Sequence, residues 1–121
     1  MRRALCVGID EYGFGELSGC VNDAQRMNAV LEKQQDGSPN FDCKTLIAPK
    51  GASDDIVTRT ILREHLQRLF KDAADVALFH FSGHGTINNL DGYLVTQDAK
   101  QYDEGVAMGD VFNAGMLFIS I

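Results

Sequence analysis

The chain has 121 residues, a formal net charge of −6 and a pI near 4.8. This length suits one domain or part of one, and the acidic balance argues against a broad interface with nucleic acid or an anionic membrane. No apolar run approaches the roughly 18 residues of a membrane span, and the N-terminus lacks the pattern of a signal peptide. We therefore expect a cytoplasmic protein with neither a nucleic-acid nor a membrane partner.

The three cysteines, Cys6, Cys20 and Cys43, show neither a disulfide nor a zinc pattern. Their odd number and the absence of a secretion signal argue against a disulfide framework, and no His/Cys cluster has zinc spacing. We expect no structural metal, and we interpret Cys6 and Cys43 as small apolar residues inside strands.

Apolar runs and helical periodicity alternate through the first half of the chain. Residues 3–9 predict a central strand, because their apolar side chains do not alternate with polar ones. A loop over 10–15 follows. Apolar spacings of three and four then predict a helix over residues 21–35, capped by Ser18 or Asn22.

A second strand is predicted over residues 41–48, where more alternation places it nearer the sheet edge. An amphipathic helix then extends to residue 71, capped by Ser53 or Asp54. A third strand, DVALFHFSGHG over 75–85, is mainly apolar until its closing serine, glycines and histidine. Downstream, the pattern predicts polar loops over 86–91 and 100–105, an extended segment over 92–96, a helix over 106–112 and a buried strand over 116–121.

The alternation of strands and helices predicts an α/β fold with a parallel sheet, whose strands all end at one rim. His84 on that rim is the natural general base or acid, and the amides of Gly83 and Gly85 are candidates for an oxyanion hole. The residues alone do not identify the nucleophile. Ser82 lacks the elbow pattern of catalytic serines, and Cys20 at a helix N-terminus is an alternative.

Four segments resemble, in this order, the caspase-like cysteine peptidases, with the closest match to metacaspases and their bacterial relatives: ALCVGIDEY, LSGCVNDA, VALFHFSGHG and DGYLVTQDA. The resemblance implies a three-layer α/β/α sandwich with a mainly parallel central sheet, and it makes residues 1–121 a single partial peptidase domain. It also implies a Cys–His dyad, in which His84 assists a thiol and the Gly85 amide binds the oxyanion.

In this family the thiol follows the next strand in a D-x-C-x-S-G-like motif, roughly 50 residues after the histidine and so near position 134. None of the three cysteines matches that motif. The resemblance therefore implies a truncated domain that is inactive alone and whose partner is the C-terminal remainder of the domain. The alternative, that the tail after Val111 is not family sequence, stays open.

The resemblance assigns Cys20, Asp23 and Ser82 to the pocket for the substrate's P1 side chain, the residue just before the scissile bond. That pocket prefers arginine or lysine. Asp23 is the expected specificity residue, because a carboxylate pairs with a guanidinium or an ammonium group. We therefore expect a protein or peptide substrate with a basic P1 residue.

Some metacaspases are activated by calcium through acidic residues that follow the histidine. Calcium takes six to eight oxygens. Where an adjacent pair of acidic residues is expected, this chain has Gly109-Asp110 and so only one carboxylate. The sequence therefore gives no support for a calcium site, although it leaves one possible. We expect no cofactor and no metal ligand. The carboxylates available after His84 are Asp91, Asp98, Asp103, Glu104 and Asp110.

Three functional hypotheses follow from these residues. The first is a metacaspase-type cysteine endopeptidase that cuts after basic residues. The second is a catalytically inactive, caspase-like interaction module, or one half of a two-chain assembly. The third is a hydrolase that uses Ser82 or Cys20 as its nucleophile.

Overall fold

A three-stranded parallel sheet is central to the computed structural model, which describes residues 2–71, 76–87, 92–100 and 103–112. Its strands are β1 (Arg2–Ile9), β2 (Asp42–Ala48) and β3 (Val76–Ser82), in the order β2-β1-β3. Cys6 of β1 lies opposite Thr45 on one side and His80 on the other, both in parallel register. The parallel sheet is confirmed, and its middle strand is the one whose apolar residues do not alternate with polar ones.

Two helices, α1 (Cys20–Glu32) and α2 (Arg59–Lys71), cover opposite faces of this sheet. Successive residues of a strand point to opposite faces. One face of β1 packs on α2 in a shared core that contains Leu5, Val7, Ile9, Leu62, Leu66 and Leu69. The other face meets α1 so closely that a Cβ on Gly8 would collide with the carbonyl of Cys20 and lie 2.9 Å from Cβ of Ala24. The layers are therefore α1, sheet and α2.

A second, antiparallel sheet follows β3 and was not predicted. It consists of β4 (Gly85–Ile87), β5 (Gly92–Lys100) and β6 (Asp103–Ala107), in the order β4-β5-β6, and α3 (Met108–Phe112) comes after it. The predicted loops over 86–91 and 100–105 are therefore wrong where they overlap β4 and β6. These short strands carry little apolar alternation, and β6 opens on two acidic residues and a glycine, so their pattern resembles a loop.

The start of α1 is fixed by a residue far from it in sequence. Gly19 occupies the cap position with φ of 96° and gives no side-chain cap. The Asp10 carboxylate instead accepts the backbone N–H groups of Cys20 at 2.9 Å and Val21 at 3.4 Å. The predicted caps, Ser18 and Asn22, are thus wrong, and the helix ends at Glu32 rather than at residue 35.

The start of α2 lies later than predicted, at Arg59 instead of just after Ser53 or Asp54. Thr58 Oγ1 accepts the N–H of Ile61 at 3.3 Å, and the Asp98 carboxylate accepts the N–H of Arg59 at 3.0 Å. The apolar residues before Thr58 suggested a helical stripe, but this stretch bonds to β5 instead of forming a turn of helix.

Two of the cysteines lie inside strands of the parallel sheet, as predicted. Cys6 is fully buried in β1, where burial raises the pKa of its thiol to about 12. Cys43 is half-buried in β2, and burial raises its pKa as well. Both thiols are therefore protonated at neutral pH.

Some predictions fall on residues outside the described ranges. These are the strand over 116–121 and parts of the loops over 86–91 and 100–105. Among the described helices, none is both long enough and apolar enough to cross a membrane.

The contact between β1 and α1 can be tested at Gly8. We expect Gly8→Ala to lower the free energy of unfolding by about 1–3 kcal/mol, because the new methyl group overpacks a tight contact. Gly13→Ala is the matched control, since a Cβ there meets nothing within 4 Å and should change stability by no more than about 0.5 kcal/mol. Urea denaturation of both variants gives the comparison, and equal stabilities would contradict this packing.

Candidate active site

The carboxyl end of the parallel sheet brings the predicted site residues together. The Ser82 hydroxyl, at the end of β3, donates to the Asp23 carboxylate at 3.3 Å. Nε2 of His84 lies 2.8 Å from the carbonyl oxygen of Gly15. Cys20 opens α1 on the same rim, beside the end of β1. Three separate chain segments thus meet here, as the parallel topology requires.

The Gly15 carbonyl determines which nitrogen of His84 carries the proton. A carbonyl oxygen only accepts hydrogen bonds, so Nε2 must be the protonated, donating nitrogen. In the neutral imidazole the lone pair then resides on Nδ1. The side chain is half-buried. His84 is therefore oriented to take up a proton at Nδ1.

The Tyr12 side chain holds the backbone of His84 in place. Its buried hydroxyl donates to the carbonyl of Val95 at 2.8 Å and accepts the N–H of His84 at 3.1 Å. Its ring meets the imidazole edge-on, with centroids 4.7 Å apart. Burial raises the pKa of Tyr12, so the phenol stays neutral and remains a donor. Sequence reasoning missed this residue, which it treated only as part of a turn-rich loop.

The two glycines around His84 have different structural roles. A Cβ on Gly83 would lie 2.5 Å from the Tyr12 hydroxyl, so glycine leaves room for that oxygen. Gly85 pairs with Leu94 of β5, and the bond from Val95 N–H to the carbonyl of His84 (3.0 Å) flanks this pair. Gly85 and Leu94 are therefore a non-hydrogen-bonded pair, in which the N–H of each residue points away from the partner strand. The Gly85 amide therefore faces away from β5.

Asp23 is exposed in the first turn of α1, where the Ser82 hydroxyl reaches it. The helix N-terminus favours a negative charge at this position. Because the residue is exposed at the rim, its carboxylate offers an anionic contact for a cationic group.

Cys20 lies beside these residues but is not an activated thiol. Burial raises its pKa, a hydrogen bond with Ser82 partly offsets that effect, and the Asp10 carboxylate adds to it. A helix N-terminus alone would lower a thiol pKa. The direction of the pKa shift is reversed here because the thiol is partly buried, and the negative charge of Asp10 at the same helix end adds to that effect.

His80 and His65 differ from His84 in their surroundings. His80 is buried in β3, and burial lowers the pKa of its imidazole, although the Asp23 carboxylate acts in the opposite direction. His65 is half-buried on α2, away from the rim, where burial and the charge of Arg68 lower its pKa. Of the three histidines, only His84 lies at the rim with its orientation fixed by a carbonyl.

The side chain of Gln97, in β5, connects this strand to the loop that follows β1 and to the segment before α2. Sequence reasoning missed this residue. Its amide nitrogen donates to the carbonyl of Glu11 at 2.9 Å. Its amide oxygen accepts the N–H groups of Ile56 and Val57 at 2.7 and 2.8 Å. A polar residue directly after the apolar part of a strand was the available signal, but its partners are distant in sequence.

Among the acidic residues considered for calcium, Asp98 and Asp110 lie in the described ranges with partners of their own. One Asp98 oxygen accepts from the Arg59 N–H and from the Thr96 hydroxyl at 2.6 Å. Asp110 lies 3.7 Å from the Arg63 guanidinium. Within the described ranges, no group of three or more His, Cys, Asp or Glu side chains is placed to hold a metal ion. Asp91 and the Asp103 side chain fall outside the description.

Comparisons with known proteins identify the family of this chain. The family model for "Metacaspase, peptidase C14 domain" matches residues 2–119. Metacaspase-2 of Trypanosoma brucei brucei is 35% identical over 120 residues, which are 95% of this chain and 33% of the relative. Metacaspase-1 of Meyerozyma guilliermondii is 36% identical over 118 residues, which are 94% of this chain and 28% of the relative.

Metacaspase-1A of Aspergillus fumigatus is a further relative, 33% identical over 118 residues, 94% of this chain and 27% of its own length. The chain thus spans about a third or less of the curated relatives that it matches. Since the family match covers nearly every residue, and the α/β layers with a parallel sheet suit it, the chain belongs to the metacaspases, the family of peptidase C14 domains.

Proposed function

We propose that this chain supplies the histidine of a Cys–His dyad in a cysteine endopeptidase that cuts after arginine or lysine. The observation that carries the proposal is the bond between Nε2 of His84 and the carbonyl of Gly15. It leaves Nδ1 as the basic nitrogen at the same rim where Asp23 presents a carboxylate. A base and a carboxylate at the same rim suit cleavage next to a cationic residue.

The proposed reaction is acyl transfer through a thioester. A thiol gives its proton to Nδ1 of His84 and its sulfur attacks the scissile carbonyl carbon. The Gly85 amide, which faces away from β5, donates to the oxyanion that forms. The imidazolium then protonates the leaving amine, and water hydrolyses the thioester with His84 again acting as the base.

The attacking thiol is proposed to come from outside these 121 residues. Cys6 is fully buried, with a pKa raised to about 12. Cys43 lies in β2, and its pKa is also raised. Cys20 has a raised pKa and bonds to Ser82. None of the three presents a thiolate to His84, so the remainder of the catalytic domain is the proposed source and the natural partner of this chain.

Substrate selection is proposed to rest on Asp23, with Cys20 and Ser82 beside it. The Ser82 hydroxyl orients one carboxylate oxygen at 3.3 Å, which leaves the other free for a guanidinium or ammonium group. Asp10 does not compete, because it accepts the N–H groups at the start of α1. The Asp23 carboxylate is therefore the group proposed to bind one basic P1 side chain.

A second candidate function is a caspase-like interaction module without catalysis. The feature that favours it is that burial raises the pKa of all three thiols in this chain, so none of them is activated as a nucleophile. A cytoplasmic location is proposed for either function. The two functions differ in whether His84 is needed for peptide cleavage.

Replacing His84 tests the catalytic proposal. In the full-length protein, His84→Ala should lower kcat/KM for a fluorogenic peptide with arginine at P1 by about 10²–10⁴-fold, because the general base is lost. His65→Ala is the matched control and should leave kcat/KM unchanged, since His65 lies on α2 away from the rim. Cleavage that survives His84→Ala would refute the dyad, and no cleavage after any P1 residue would favour the interaction module.

Replacing Asp23 tests the P1 preference. We expect Asp23→Asn to lower kcat/KM for arginine and lysine substrates by about 10–100-fold, because the charge that binds the cation is removed. A citrulline substrate, which is close in shape but neutral, should lose much less. The exposed Asp55 provides the control variant Asp55→Asn. An equal loss for arginine and citrulline would show that Asp23 does not read the substrate's charge.

Replacing the Tyr12 hydroxyl tests the positioning of His84. Tyr12→Phe keeps the ring but removes the acceptor of the His84 N–H, so we expect kcat to fall about tenfold with little change in KM. Tyr93→Phe in β5 is the control. A change confined to KM would instead place Tyr12 in substrate binding, contrary to this prediction.

A further inference from the structure

Phe14 presents an aromatic ring to solvent directly beside His84. Four large apolar side chains in the described ranges are exposed: Phe14, Val30, Ile56 and Ile87. The Phe14 side chain is 62% exposed. Its ring centroid nevertheless lies 5.5 Å from the His84 imidazole and 5.2 Å from the Tyr12 ring. An exposed ring in contact with the candidate base is well placed to meet a substrate.

The backbone holds this ring in a defined position. The N–H of Gly15 donates to the carbonyl of Tyr12 at 3.3 Å, which closes a four-residue turn with Phe14 as its third residue. Both ends of the turn are anchored, one by the Tyr12 hydroxyl and the other by the bond from His84 to Gly15. Because the turn is already ordered, a ligand that covers the ring has less ordering entropy to overcome.

The proposed reaction determines which substrate residue comes nearest to Phe14. In acyl transfer the histidine protonates the leaving amine, and this nitrogen belongs to the P1′ residue, the one just after the scissile bond. It must come within about 3 Å of Nδ1. The P1′ side chain is attached one carbon further out, within reach of a ring 5.5 Å from the imidazole. The basic P1 side chain goes instead toward Asp23, on α1.

We propose that Phe14 forms the P1′ subsite and selects substrates with an apolar or aromatic residue immediately after the scissile bond. The inference rests on the proposed function, because it uses the leaving amine to locate the substrate. An apolar P1′ side chain removes exposed ring surface from water, and an aromatic one also stacks with it. Glycine or aspartate at P1′ covers little of that surface.

The test is cleavage of a peptide series in which arginine is fixed at P1 and P1′ is glycine, alanine, leucine, phenylalanine or aspartate. For the full-length protein we expect kcat/KM to be about tenfold higher or more with leucine or phenylalanine than with glycine. Phe14→Ala should bring the series to within about twofold, because the loss in kcat/KM is larger for the leucine and phenylalanine peptides than for the glycine peptide. Val30→Ala, which removes another exposed apolar side chain, should keep the preference.

Three outcomes would overturn the subsite. One is a wild-type protein that cleaves all P1′ peptides equally. Another is an equal loss for glycine and leucine peptides in Phe14→Ala, since that would make Phe14 a residue that positions His84. The third is a Phe14-dependent preference that appears in a second series, with the residue before P1 varied and P1′ fixed, and is absent from the P1′ series.

A binding measurement separates failure of this inference from failure of the proposed function. Dye-labelled product peptides with a free N-terminal leucine or glycine are titrated with the full-length protein and followed by fluorescence anisotropy. Tighter binding of the leucine peptide that Phe14→Ala abolishes would support the subsite even if no peptide is cleaved. Equal affinities of the two peptides would overturn it, whatever the activity.

Discussion

The hydroxyl of Tyr12 is the point at which three parts of the chain meet. It donates to the carbonyl of Val95 in β5 and accepts the N–H of His84 after β3, while Tyr12 itself follows β1. Gly83 leaves the space that this oxygen needs. Because β1 is the middle strand of the parallel sheet, the loop after it reaches the segment that follows β3. The turn that holds His84 therefore depends on a phenol from a neighbouring loop.

Two carboxylates near the start of α1 have separate roles. Asp10 is buried and accepts the first helical N–H groups, so its charge is used within the fold. Asp23 is exposed and accepts from the Ser82 hydroxyl. A helix N-terminus favours both negative charges. The rim therefore carries an exposed carboxylate, that of Asp23, close to the buried carboxylate of Asp10. Burial, with a smaller contribution from these two charges, raises the pKa of Cys20, so this thiol is not activated.

The sequence predicted the parts of the fold that depend on local apolar pattern. The runs of β1, β2 and β3 identified a parallel sheet, and its shared rim brought Asp23, Ser82 and His84 into one neighbourhood, as the structure has them. The caps of the helices were missed because Asp10 and Asp98 reach them through tertiary contacts. Such contacts leave no periodic signal in the sequence, and neither do the short strands β4 and β6.

The hydrogen-bond partner of His84 Nε2 affects which nucleophile the site can activate. A backbone carbonyl, that of Gly15, holds Nε2, and it fixes the tautomer without the full charge that a carboxylate offers an imidazolium. A thiol, with a pKa near 8.5, needs less help in losing its proton than a serine hydroxyl does. Ser82 moreover donates to Asp23, so its proton is directed away from His84. The site is therefore better matched to an incoming thiol than to its own serine.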